Sequence, residues 1–263
     1  MSANRIVAIT GASAGIGRAT ALALARRGDC IVACARRGDR LQMLADEVAA
    51  AGGELVPVVA DVTREADMEQ LVAAAVERFG RLDVVLCNAG FGIYGTIDSI
   101  SPEQMRRLLD VNYLGTFHAA RAAMAAFRRQ ASGHVIIVSS IVGKRGVPYM
   151  GAYSATKFAQ VGLAECLRAE TAGSRIHVSV VFPISTTTEF FEVMTKASGF
   201  ATRAAGPKQS ADDVAQAIVR AIDHPVAEVY PYRIARGLAL LNAIAPAVCD
   251  RVVRRWGRKP ITS

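Results

Sequence analysis

The chain has little of what metal or disulfide chemistry needs. No two of its five cysteines (Cys30, Cys34, Cys87, Cys166, Cys249) are spaced C-x-x-C, and its four histidines (His118, His134, His177, His224) are scattered. Neither set has the spacing of a zinc site, which argues against a metal centre. All the cysteines but Cys249 lie in apolar runs or on a helical face, as reduced structural thiols do, so a reducing compartment is expected. Residues 1–5 lack the basic, apolar and small-residue succession of a secretory leader, and the expected location is the cytoplasm. There is no internal repeat, low-complexity tract or linker, and 263 residues suit one large α/β domain over 1–263. The apolar stretch 238–248 is too short to span a bilayer and is interrupted by Pro246.

Acidic charge is also in short supply, with a formal net charge of +8. Most of the excess is local. Residues 226–263 carry Arg233, Arg236, Arg251, Arg254, Arg255, Arg258 and Lys259 against Glu228 and Asp250, a net +5. This distribution does not indicate a nucleic-acid partner. A basic C-terminal helical segment at about 232–259 is either a helix pair closing the fold or a peripheral contact with an anionic membrane surface.

What the chain does have is alternation. Apolar, β-branched runs recur at 5–10, 30–35, 55–60, 83–87, 134–139 and 176–182, with helix-period segments between them, and 227–230 adds a seventh. Nearly continuous apolar strands separated by helices predict a single doubly wound α/β fold: seven parallel strands with helices on both faces. Ligands of such sheets bind at the carboxyl ends of the strands. Two segments break the alternation, a glycine-rich stretch at 91–101 and an insertion at 184–207. Phe190, Phe191, Val193, Met194 and Phe200 in the insertion suit either a lid over an apolar ligand or a packed surface helix.

Two motifs carry the chemistry. Thr10-Gly11-Ala12-Ser13-Ala14-Gly15-Ile16-Gly17 follows the first apolar run and opens a helix predicted over 16–27. Gly11 permits the tight turn, Gly15 lets the backbone approach a pyrophosphate, and Gly17 lets the helix pack on the sheet; Ser13 and Ile16 complete the cradle at the positive end of that helix. Further on, Tyr153 and Lys157 lie four apart on a helix predicted to reach about 171, so they share a face. A neighbouring ammonium favours the phenolate, which would tune the tyrosine for proton transfer. Ser140 stands thirteen residues before Tyr153 at the end of the fifth strand, and Ser139 points to the opposite face.

The T-G-x-x-x-G-x-G turn, Asn88-Ala89-Gly90 after the fourth strand, Asn112, Ser140 and the Y-x-x-x-K pair resemble, in order and over about residues 4–225, the motifs of the short-chain dehydrogenase/reductase family. The resemblance implies a Rossmann-type fold and a tetrad of Asn112, Ser140, Tyr153 and Lys157. Tyr153 would exchange a proton with the substrate oxygen and Ser140 would polarise that oxygen. Lys157 would hold the nicotinamide ribose, and Asn112 would support a water relay to the lysine. It further implies that Asp61 and Val62 lie against the adenine, that Asn88, Ala89 and Gly90 line the coenzyme, and that Pro183 and Thr188 meet the carboxamide, with transfer of the pro-S hydride.

The second strand ends in Ala35, which offers no carboxylate to ribose hydroxyls, and Arg36 and Arg37 follow, which suit a 2′-phosphate. NADP(H) is therefore expected over NAD(H), although Ala14 stands where many NADP-dependent members carry a basic residue. Cys87 replaces the first Asn of the family's N-N-A-G, and Ile184 replaces the glycine after Pro183. A β-branched residue resists positive φ, so that turn must be built differently.

The expected reaction interconverts a small-molecule secondary alcohol with its ketone or aldehyde. The expected assembly is a homodimer or homotetramer formed through the helices bearing Asn112 and Tyr153. Two alternatives stand beside it: a membrane-surface reductase of a lipophilic, steroid-like or acyl carbonyl, and a non-catalytic NADP(H)-sensing protein, against which the intact tetrad argues.

Overall fold

The computed structural model describes residues 4–199 and 207–256. Phe200, the rest of 200–206, Arg258 and Lys259 lie outside them. Seven parallel strands form the main sheet: β1 (Ile6–Thr10), β2 (Cys30–Ala35), β3 (Glu54–Val59), β4 (Val84–Cys87), β5 (Ser132–Val138), β6 (Arg175–Val181) and β9 (Glu228–Val229). Their order is β3-β2-β1-β4-β5-β6-β9, so the winding reverses between β1 and β4. Each strand end lies within two residues of the sequence expectation, because strands buried on both faces read as uninterrupted apolar runs.

Alternate side chains of the strands feed two cores. Ile6, Ala8, Val32, Cys34, Val85 and Ile137 pack with helices α3 (Glu65–Phe79), α5 (Gly115–Gln130) and α6 (Gly151–Glu170). Val7, Ile9, Ile31, Ala33, Leu86 and Val138 pack with α1 (Gly15–Ala25), α2 (Gly38–Ala50) and α8 (Ala211–Asp223). This period-two division is what places helices on both faces. Cys34 and Cys87 are fully inside, and burial pushes each thiol up to about 12, so both are inert structural groups.

Two features add to the expectation. The described part of the insertion holds a helix: β7 (Ser185–Thr187) pairs in parallel with β8 (Lys208–Ser210), and α7 (Phe190–Ser198) lies between them in the chain. Ile184 is not among the residues with positive φ; the chain passes through it directly into β7, which is how the missing glycine is accommodated. Secondly, α4 (Pro102–Leu108), started by a Ser101–Gln104 capping box, runs into α5 through a π-helical turn, Leu109–Leu114, that holds Asn112. Such turns are rare and concentrate at functional sites. The chain closes with α9 (Ile234–Ile244) and α10 (Pro246–Trp256).

Candidate active site

The glycine turn leaves β1 at the point where the winding reverses. Gly11 and Gly15 have φ of 68° and 56°, a region that excludes most side chains. Asn88, at the end of β4, fixes the turn by donating from Nδ2 to the carbonyls of Thr10 (2.9 Å) and Gly11 (3.2 Å). Thr10 Oγ1 in return accepts from the amides of Asn88 (2.9 Å) and Ala89 (3.1 Å). A Cβ at Gly17 would lie 2.6 Å from both Asn88 Nδ2 and the Gly11 carbonyl, so α1 approaches β4 only because Gly17 has none. Ile16, at the start of α1, is half-buried against the core shared by α1, α2 and α8. The first turn of α1 carries no acidic residue and no side-chain cap. Its amides and dipole are thus left to meet an anion, which is the fit a pyrophosphate requires.

The resemblance-derived catalytic residues converge. Ser140 follows β5; its Oγ accepts from the Val142 amide at 3.3 Å and donates to the Pro183 carbonyl at 3.4 Å, and its hydroxyl favours ionisation of the neighbouring Tyr153 phenol. Ser139 Oγ instead donates to the Lys157 carbonyl at 3.0 Å and serves structure. Lys157 Nζ lies 5.6 Å from the Tyr153 ring centroid and donates to the Val138 carbonyl (2.9 Å) and Gln160 Oε1 (3.1 Å). Asn112, fully buried, accepts from the Phe91 amide at 3.0 Å and donates to the Phe91 carbonyl and Thr156 Oγ1. Gly90 sits between these groups: a Cβ there would be 3.1 Å from Asn112 Oδ1 and 3.6 Å from Lys157 Nζ.

The electrostatics differ from the simple expectation that the ammonium lowers the phenol's pKa. Burial dominates both groups. It raises the Tyr153 phenol above its ordinary value, opposed only by Ser140, and it lowers Lys157 to about 7. Removing water disfavours the charged form of each. Tyr153 is therefore held as the protonated acid.

The residues that the resemblance assigns to the outer coenzyme follow the carboxyl ends of β1, β2, β3 and β7. Asp61 Oδ1 accepts from the amide and hydroxyl of Thr63, and the Val62 carbonyl meets His118 Nδ1 at 3.1 Å. Thr188 lies against Gly15, and its Oγ1 accepts from the Phe190 amide at 3.2 Å. Arg37 is the arginine that reaches the glycine turn, donating from Nη2 (3.0 Å) and Nε (3.3 Å) to Ser13 Oγ. Arg36 is exposed and has no side-chain partner among the described residues. Sequence reasoning missed two partners here. Glu189 pairs with Arg37 at 3.1 Å and closely with Arg40, joining the start of α7 to the cations after β2.

Helix α7 covers the tyrosine. The Phe190 ring lies 5.5 Å from that of Tyr153, and Met194 is buried over Gly92. Ser198 Oγ accepts from the Tyr94 amide at 2.8 Å, and Gln104 donates to the Ala197 carbonyl at 3.2 Å. Tyr149, held at φ of 64°, adds a ring 5.4 Å from Tyr94. Its conformation has no sequence signature, since β-branched and aromatic residues rarely adopt it.

A doubly wound parallel sheet with a dinucleotide turn, and a tyrosine, lysine and serine gathered at its carboxyl edge, defines an α/β oxidoreductase. The comparisons agree. The short chain dehydrogenase family model matches residues 5–198. An uncharacterized oxidoreductase of Listeria monocytogenes is 34% identical over 227 residues, covering 84% of this chain and 92% of its own. Among solved structures, a short-chain dehydrogenase/reductase from Burkholderia phymatum in complex with NAD superposes with a TM-score of 0.83 at 25% identity, covering 99% of this chain and 98% of that one. An alcohol dehydrogenase from the archaeon Thermococcus sibiricus, complexed with 5-hydroxy-NADP, gives a TM-score of 0.77 at 29% identity over 87% of this chain and 96% of that one. The chain belongs to the short-chain dehydrogenase family and is an oxidoreductase of alcohol and carbonyl groups.

Proposed function

We propose that this protein is an NADP(H)-dependent oxidoreductase that interconverts a secondary alcohol and a ketone or aldehyde, with Tyr153 as proton donor and acceptor. The observation that carries the reading is the gathering of Ser140, Tyr153 and Lys157 beside Gly90, in the segment whose Asn88 braces the glycine turn. Gly11, Ser13, Gly15, Ile16 and Gly17 hold the pyrophosphate, and Arg36 and Arg37 hold the 2′-phosphate. Asp61 and Val62 flank the adenine, Asn88, Ala89 and Gly90 line the middle of the coenzyme, and Pro183 and Thr188 meet its carboxamide. The coenzyme supplies or accepts the hydride. In reduction, Ser140 polarises the carbonyl oxygen and Tyr153, kept protonated by burial, delivers its proton to it. Lys157 and Asn112 hold the tyrosine's surroundings in register. The segment 184–207 serves as a lid within a single catalytic domain. NADPH oxidation over a panel of ketones and aldehydes tests the reading; consumption matched by alcohol product supports it.

For assembly, the groove between α3, α5 and α6, about 730 Å³ and lined by Val72, Val76, Phe117, Met124 and Leu163, is the face proposed to receive a second copy. No described helix is long and apolar enough to cross a membrane. A membrane-surface form of the activity is favoured by Ile234, Leu240 and Ile244, which stand exposed on α9 near Arg233 and Arg236. Arg145 and Lys144 tie this hairpin, through Asn242, to the loop that follows Ser140. We expect the protein to sediment with vesicles containing an anionic lipid and to be released by salt; equal recovery from zwitterionic vesicles would remove this second reading.

A further inference from the structure

Gln160 is completely buried, and the oxidoreductase mechanism does not call on it. Its Nε2 donates to the Asn112 carbonyl and to Thr116 Oγ1, both at 2.7 Å. Its Oε1 accepts from Lys157 Nζ at 3.1 Å. The Asn112 backbone carbonyl only accepts, which fixes Nε2 on its side and turns Oε1 to the lysine, so the amide has one permitted orientation. A flipped amide would set oxygen against oxygen and nitrogen against nitrogen. Thr116 Oγ1 also donates to the Asn112 carbonyl, at 2.8 Å, so two side chains already occupy that acceptor.

We infer that Gln160 is a positioning residue, a fixed strut between the π-helical turn and Lys157 that holds the ammonium through its carbonyl oxygen. The strut donates from Nε2 to the turn and accepts at Oε1 from the lysine, so it ties the place of Lys157 to that of Asn112. Lys157 is thereby held in place and favoured as a cation.

The groups facing Lys157 make the prediction clean. β5 presents the Val138 carbonyl, the turn after β4 presents Gly90, and α6 presents Tyr153 and Gln160. Tyr153 is the titratable member of this set, and burial alone accounts for the lowered lysine. The Gln160 oxygen therefore opposes the desolvation, and its loss lowers the lysine further.

The inference rests on the role proposed for Lys157, but its test needs neither coenzyme nor substrate. Lysines labelled with carbon-13 at Cε are titrated by NMR in the full chain, which has five (Lys144, Lys157, Lys196, Lys208, Lys259), with Lys157→Met to assign the signal. Gln160→Met, close in size and without the acceptor, is expected to lower the Lys157 midpoint by about one pH unit, a tenfold change in its protonation equilibrium. Gln160→Glu is expected to raise it. Thr116→Val removes one of the two groups that orient the amide and leaves the lysine contact itself intact. It is expected to shift the midpoint in the same direction as Gln160→Met by less, and it keeps the test open should the Gln160 variants not fold. Midpoints unchanged in every folded variant would overturn the inference. Because the titration is done without ligands, that result is distinct from a failure to oxidise NADPH, which would count against the proposed function.

Discussion

Tyr153→Phe is expected to lower turnover about a thousandfold while coenzyme affinity stays within about twofold. The substitution removes one oxygen and little else. The ring stays packed against Phe190 and beneath the Lys157 ammonium, because those contacts are made by carbon. Ser140 keeps the Val142 amide as donor and the Pro183 carbonyl as acceptor, so no buried group is left unpaired. The stability change should accordingly be within about 1 kcal/mol, the worth of one ordinary hydrogen bond. What is lost is the proton. Tyr153 is the buried acid adjoining Ser140, and phenylalanine has nothing to donate to a developing alkoxide. Single-turnover reduction and calorimetric NADPH binding, measured on the same preparation, separate the two effects. Turnover within tenfold of the parent would show that the proton comes from elsewhere.

Gly17→Ala should abolish measurable coenzyme binding and destabilise the fold by about 3 kcal/mol, roughly 10 °C in Tm. The added methyl would stand 2.6 Å from a backbone carbonyl and 2.6 Å from Asn88 Nδ2. Neither can withdraw cheaply. The carbonyl is Gly11's, in a turn already committed to positive φ, and Asn88 is bonded to two carbonyls of that turn. Either α1 swings away from β4 or Asn88 gives up its bonds, and both disperse the amides at the start of α1, where the pyrophosphate is proposed to bind. Gly162→Ala provides the internal contrast. Gly162 lies exposed on α6, and an added methyl there would find nothing within 4 Å, so the change should stabilise by about 0.5–1 kcal/mol through helix propensity alone. Thermal unfolding of the pair reads opposite signs; equal shifts would contradict the packing account.

Much of this molecule was legible in its sequence because burial writes a strong pattern. Val7 and Ile9 face one core and Ile6 and Ala8 the other, so β1 reads as an unbroken apolar run, and the other interior strands do likewise. Gly11 and Gly17 were legible because close backbone approach leaves no substitute for glycine. The features that escaped depend on long-range contact. Gln160 lies three residues after Lys157, on the same helical face, which was the available signal. Its partner is the Asn112 carbonyl, 48 residues away, and no local pattern announces that contact. The π-helical turn has no compositional mark, and β7 and β8 are three residues each and recognisable only as a pair. Glu189 carries no mark in the sequence; its meaning comes from Arg37 and Arg40, which the fold brings to it.

That last pairing shapes the most direct test of the central claim, that this site takes NADP(H). Arg37 and Arg40 are both engaged by the Glu189 carboxylate, a pair about two-fifths exposed and therefore weakly held. A 2′-phosphate, with more charge and more acceptors, should displace it. The measurement is calorimetric titration of NADPH and NADH into the parent protein, the Arg36→Ala/Arg37→Ala double variant and Glu189→Gln. The account predicts NADPH tighter than NADH by about tenfold or more in the parent, near parity in the double variant, and NADPH alone tightened in Glu189→Gln. NADH bound as well as NADPH in the parent, with both arginines dispensable, would contradict it.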